Sequence, residues 1–255
     1  MIRAVFALWH REIVRFLRDR PRLTGSLMQP IIFWALFSGA LHGSFKPGGV
    51  DYARYFFTGT LAMITLFTAI FATITVIEDR KDGFLQGVLV SPVPRSAIAL
   101  GKILGGATLG VALAVVFLLF APLAGVDLDV ASVFAAVGVL TVLAIAVTGL
   151  GFSLAWLMES SAGYHGIMMG LLMPMLLLSD AFFPMKDSHM LLAWIRHANP
   201  LSYGVGALRH VFGTEAEVAG LPSFGVCMTG TVIFAVATFA LGTYVVGRRS
   251  VRDAR

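Results

Sequence analysis

Six apolar blocks divide this chain, at roughly 24–43, 55–77, 98–121, 131–157, 163–183 and 223–246. About 20 consecutive apolar residues cross the hydrocarbon of a bilayer as a helix. Apolar positions within the blocks do not alternate with period two, and lipid admits only helices or closed barrels, so the blocks predict helices. The expected fold is an all-α integral membrane protein with six transmembrane helices, forming a single domain over residues 1–255.

The segments between the blocks have patterns of their own. In residues 1–22, Ile2, Phe6, Trp9, Ile13 and Phe16 recur at helical spacing, and Arg11, Arg15, Arg18 and Arg22 recur on another face. This predicts an amphipathic helix in the membrane interface, its arginines reaching for anionic lipid headgroups. It would serve either as an anchor or as a mechanical element gathering the spans. Between the fifth and sixth blocks, residues 182–211 hold two apolar pieces. One contains Met190, Leu191, Trp194 and Ile195, the other runs from Leu201 to Val211, and Asn199-Pro200 separates them. Two short re-entrant helices fit this pattern, with backbone at that depth buried in protein or lining a wet cavity.

Composition narrows the class. Of 255 residues, 58% are hydrophobic and 13% charged, against about a quarter charged in soluble domains. That excludes a second soluble domain. The lone Cys227 excludes an intrachain disulfide. The mixed residues before the first apolar block do not form a cleavable signal. The chain is basic, but the placement of its charges points to membrane topology rather than to nucleic acid. Fourteen of the nineteen Lys and Arg fall in the N-terminal segment, the stretch after the second block with its continuation into the third, and the C-terminal tail. Lys46, Arg54, Lys186, Arg196 and Arg209 fall on the other side. The positive-inside rule puts both termini in the cytoplasm.

Candidate chemistry is sparse. The chain has no phosphate-binding loop, no G-x-S-x-G and no H-E-x-x-H, so no catalytic residue and no metal site is expected. His189, His197 and His210 lie near Asp187 without ligand spacing. Gly101-x-x-x-Gly105, Gly106-x-x-x-Gly110 and Gly166-x-x-x-Gly170 permit close helix approach, within the bundle first and between copies second. Carboxylates near lipid usually face a partner or an aqueous cavity. Asp180 lies near the outer end of the fifth block, facing a translocation path or already wetted at the interface. Glu159 reads as a loop residue. Met173, Met175, Phe182 and Phe183 could line a pliable path or belong to plain core.

The stretch 78–96, EDRKDGFLQGVLVSPVPRS, places charges, glycines and prolines between two spans. Phe84, Leu85, Val88 and Leu89 make a short apolar face, and Pro92 and Pro94 stop it. With its continuation through Gly101 and Lys102, this stretch resembles the cytoplasmic loop of type-2 ABC transporter permeases. The match falls on Glu78, Arg80, Gly83, Leu85, Leu89, Val90, Ser91, Pro92, Arg95, Gly101 and Lys102. A second similarity covers Ser179, Phe182-Phe183-Pro184, Trp194, Asn199-Pro200-Leu201, Tyr203 and Arg209, so the resemblance spans the whole chain.

The resemblance implies the permease subunit of an ATP-binding-cassette exporter in the cell inner membrane. It would be a homodimer served by two separate ABC ATPase subunits, with no nucleotide site of its own and with ATP and Mg used by the partner. The cargo would be amphipathic, a drug, lipid or lipid-linked glycan. The loop at 78–96 would supply a coupling helix that docks in a groove of the ATPase. Phe84, Leu85, Val88 and Leu89 would be its anchors, and Asp79, Arg80, Lys81 and Asp82 its rim. Gln86 and Phe84 depart from the family pattern. So does Asp180, whose charge suggests a cationic substrate group or a gate latched by Arg196 or Arg209. A secondary transporter or channel without an ATPase, or a non-transporting scaffold, are the competing classes.

Overall fold

The computed structural model describes residues 1–184, 189–214, 218 and 220–249. Helices account for its regular structure, and no strand occurs among the described residues. In chain order they are α1 (Ile2–Arg18), α2 (Arg20–Ala40), α3 (Tyr52–Lys81), α4 (Phe84–Val90) and α5 (Arg95–Phe117), the last continued by a 3₁₀ stretch Leu118–Ala124. α6 (Val130–Leu157), α7 (Ser161–Leu177), α8 (Met190–Ala198), α9 (Pro200–Phe212) and α10 (Phe224–Arg249) follow. Five segments are long and apolar enough to cross a bilayer: Arg20–Ala40, Tyr52–Lys81, Arg95–Ala124, Val130–Leu157 and Phe224–Gly247. α7 is apolar but has only 17 residues, about 25 Å at 1.5 Å per residue. The apolar block at 163–183 ran longer than its helix because Leu178–Phe183 turn instead of continuing the coil.

α3 is the axle of the bundle. Most of its length is buried, against α2, α5, α6, α7 and α9. Three of its buried threonines, Thr60, Thr65 and Thr68, donate to the carbonyls of Phe56, Leu61 and Ile64 one turn back, the usual way a hydroxyl is carried inside an apolar helix. α10 packs on α6, α9 and α5, whereas α2 leans on α3 alone along most of its length.

Two boundaries differ from the pattern in the sequence. The helix expected over residues 1–22 ends at Arg18, and Asp19 caps a new helix by accepting from the Arg22 N–H at 3.3 Å. Arg20 and Arg22 therefore open the first span. At the other end of that hairpin, Glu78 to Lys81 are the last turn of α3 rather than loop. Their acids are neutralised by cations from α1, α2 and α5, so the helix continues past its apolar stretch.

Candidate functional site

α4 is set by its borders. Gly83, in the left-handed region at φ 77°, turns the chain out of α3 in a conformation that other residues adopt only under strain. Ser91 closes the helix in extended conformation, its hydroxyl donating to the Val88 carbonyl at 2.6 Å. Pro94 then caps α5, whose first residue Arg95 donates to the Gly247 carbonyl at 3.0 Å. The apolar face of α4 turns toward the bundle: Leu85 is 2% exposed, and Phe84, Val88 and Leu89 are half-buried against the core. Gln86, Gly87 and Val90 face outward, Val90 at 86% exposure.

Behind α4 lies a network of charges joining α1, α2, α3 and α5. The Asp79 carboxylate accepts from Arg11 at 2.7 and 3.0 Å, and also from Arg15 and Lys102. Lys102 donates to Glu12 as well, at 2.7 Å, and Glu12 accepts from the Thr75 hydroxyl at 2.9 Å. Glu78 pairs with Arg15 at 2.8 Å and with Arg22, which also holds Asp19. Glu12, Asp79 and Lys102 are buried. Four acids meet four bases, so the network is charge-balanced. Burial disfavours the Arg11 cation, but hydrogen bonding and charge attraction from Asp79 outweigh it and carry its pKa above the ordinary arginine value. Arg11 also stacks on the Phe84 ring, 3.6 Å from its centroid. Arg80 reaches the opposite way and donates to the carbonyls of Trp156 (2.7 Å) and Met158 (2.9 Å) at the end of α6.

These contacts correct the role expected for the arginines of residues 1–22 and for Asp79. Arg11, Arg15 and Arg22 hold carboxylates rather than reaching for headgroups, and Asp79 is a buried hub rather than a rim residue. The buried stripe of α1 is Leu8, Glu12 and Phe16, while Ile2 and Phe6 are exposed. The stripe seats on α5 at Gly101 and Gly105, where an added Cβ would lie 2.7 Å from Leu8 Cβ and 2.8 Å from Glu12 Cβ. The first glycine pair thus admits the N-terminal helix. Gly106 instead meets Thr148 and Ala72 inside the bundle. Among the described residues, nothing outside the helix's own backbone lies within 4 Å of an added Cβ at Gly166 or Gly170, so no close packing onto that pair is seen there.

At the opposite end, the turn after α7 carries Asp180 at φ 62°. Its carboxylate pairs with Arg196 of α8 at 2.7 Å. Its carbonyl accepts from the Tyr55 hydroxyl at 3.0 Å and from Arg209 of α9. Arg209 also stacks on the Tyr55 ring at 3.6 Å. Asn199 ties α9 to α7 by donating to the Met175 carbonyl at 2.6 Å. Phe182 is buried against Phe56, Phe183 is partly exposed, and Met173 and Met175 are half-buried. Glu159 lies exposed between α6 and α7. His210 bonds the Pro222 carbonyl, His189 and His197 are exposed, and no cluster of metal-ligating residues occurs among the described residues. Lys186, Asp187, Arg252 and Arg255 lie outside the described residues.

The sequence reading missed Glu12 as a functional position and took Lys102 only as part of a motif. The signal was available: Leu8, Glu12 and Phe16 recur every four residues, a carboxylate set in an apolar stripe.

Comparison with known proteins agrees with this geometry. The family model for ABC-2 type transporters matches residues 3–212. The transport permease ycf38 of Cyanophora paradoxa is 25% identical over 217 residues, covering 83% of this chain and 74% of that one. Nodulation protein J of Rhizobium leguminosarum bv. trifolii is 26% identical over 264 residues, covering 96% and 94%. Nodulation protein J of Neorhizobium galegae is 27% identical over 219 residues, covering 80% and 79%. A multi-pass helical bundle whose family match runs from α1 to the end of α9 places this chain in the ABC-2 type transporter family, as a transport permease.

Proposed function

We propose that this chain is the membrane subunit of an ATP-driven exporter of amphipathic molecules, acting as a homodimer with two separate ABC ATPase subunits that use ATP and Mg. It forms one permease domain over residues 1–255, with α7 as a sixth crossing. Seventeen residues suffice for that in a locally thin bilayer. α8 and α9 re-enter from outside, and both termini and α4 lie in the cytoplasm of a cell with an inner membrane. The open face of α7 around Gly166 and Gly170 supports a second copy packing there.

The observation that carries this reading is the anchorage of α4. A docking helix transmits force only if it cannot yield against its own bundle. α4 buries Leu85, and the turn before it is tied to α1 and α5 through Asp79 and to α6 through Arg80. Gly83, Phe84, Leu85, Val88, Leu89, Ser91, Pro92 and Arg95 set its position, with Glu78 and Arg80 as its struts. The surface offered to the ATPase is Gln86, Gly87 and Val90. ATP-driven closure of the partner dimer would press two such helices together and shift the bundles from inward- to outward-open.

The test is Val90→Asp, which leaves the buried face intact. It should abolish stimulation of the co-purified ATPase and transport into inverted vesicles, with membrane insertion unchanged. Full stimulation in that variant, or transport with no ATPase present, refutes the proposal.

A further inference from the structure

α8 is weakly held. Met190, Trp194, Ile195 and His197 are exposed, and Arg196 is the one buried residue among its described side chains. Burying a guanidinium is costly unless it is paired, and this one is paired with Asp180 at 2.7 Å, both side chains largely out of solvent. The partner residue is itself constrained. Asp180 has the positive φ of the left-handed region, uncommon outside glycine, and its carbonyl is fixed by Tyr55 and Arg209. One end of the pair is thus clamped to α3 and α9, while the other lies on α8, which the Tyr203 hydroxyl of α9 also ties by donating to the His197 carbonyl at 2.9 Å. Beneath α8, Arg196 shares a small cleft with Leu221, Pro222 and the buried thiol of Cys227 on α10.

We propose that the Asp180–Arg196 pair is a latch that keeps α8 closed over the seam between α9 and α10, at the end of the bundle opposite α4. Breaking the pair lets α8 lift and uncovers Cys227. Resting on the exporter reading, the latch is the contact that must part when that end opens to release cargo. Asp180 is then not a substrate charge: its carboxylate is committed to Arg196 in the closed state.

Cys227, the chain's single cysteine, reports the motion without engineering. The purified chain in proteoliposomes is exposed to a membrane-impermeant maleimide, and the labelling rate is compared with that of SDS-unfolded protein. Wild type should label slowly. Asp180→Asn keeps a residue tolerant of positive φ while removing the charge, and Arg196→Gln removes the other partner. Each should label at least about tenfold faster, the scale expected when one member of a buried pair is lost. The double variant should label no faster than the faster single, because both changes break one contact. Arg196→Lys, which keeps the charge, should stay near the wild-type rate, separating latch release from general unfolding.

Wild-type labelling as fast as the SDS control overturns the latch. So do single variants at the wild-type rate, multiplying effects in the double variant, or Arg196→Lys labelling as fast as Arg196→Gln. With the ATPase bound and ATP hydrolysis blocked, wild-type labelling should also rise. Labelling that responds to Asp180→Asn but not to ATP supports the latch and removes the exporter reading instead.

Discussion

Lys102→Met tests whether the buried charge network holds α1 to the bundle. The Nζ of Lys102 touches Glu12 at 2.7 Å and Asp79, and all three side chains are at most 4% exposed. Removing one member of a buried ion pair costs about 3–5 kcal/mol. Both acids keep Arg11, but its side chain is 31% exposed and its compensation is weakened by solvent. The expected cost is at the lower end, about 3 kcal/mol. At about 1.4 kcal/mol per tenfold, that raises the detached population of α1 about a hundredfold. Trypsin reads that population, since cleavage follows the open fraction when opening is fast. Cutting at Arg15 and Arg18 in detergent solution should accelerate about a hundredfold in the variant. Adding Glu12→Gln to Lys102→Met removes the stranded carboxylate and should bring the acceleration below about tenfold. Cleavage within about threefold of wild type in Lys102→Met would show that packing, not charge, seats α1.

Two further outcomes are expected. Gly105→Leu should displace α1, because an added Cβ already lies 2.8 Å from Glu12 Cβ; overpacking costs about 1–3 kcal/mol, read as faster tryptic cleavage of α1. Asp129 starts α6 with a capping box, and hydrogen bonds from Ser132 hold its carboxyl below the usual range. Its contribution is therefore complete above the unfolded carboxylate pKa, about 3.9, and is lost as pH falls through the lower folded value. Amide exchange in the first turn of α6, corrected for its intrinsic pH dependence, should lose protection only in that acid range.

Five of the six blocks were legible as helices long enough to span because about twenty apolar residues admit few other readings. The position of α4 was legible because Gly83, Pro92 and Pro94 punctuate the chain at both ends. Its orientation was not. Phe84, Leu85, Val88 and Leu89 mark an apolar face but do not say whether it meets the bundle or a partner, and Leu85 is buried in the chain itself. The seated face of α1 was not legible either, since Ile2 and Phe6 outweighed a stripe that contains Glu12. The stop of α7 at Leu177 is invisible to composition because the turn that follows remains largely apolar. At Asp180, two arginines were legible as candidates. Only three-dimensional placement divides their roles, Arg196 on the carboxylate and Arg209 on the carbonyl.

The seating of α1 on Gly101, Lys102 and Gly105 has a consequence for biosynthesis. The helix emerges from the ribosome before its berth, which is translated roughly ninety residues later, a wait of about five to twenty seconds at ordinary elongation rates. Through that interval Glu12 and the arginines beside it have neither Asp79 nor Lys102 to meet. Unpaired charges are costly to bury, so the helix has to keep them solvated, as a helix lying among headgroups would, until α3 and α5 are inserted. The surface-bound state that the sequence pattern describes would then belong to the nascent chain, and the docked state to the finished one.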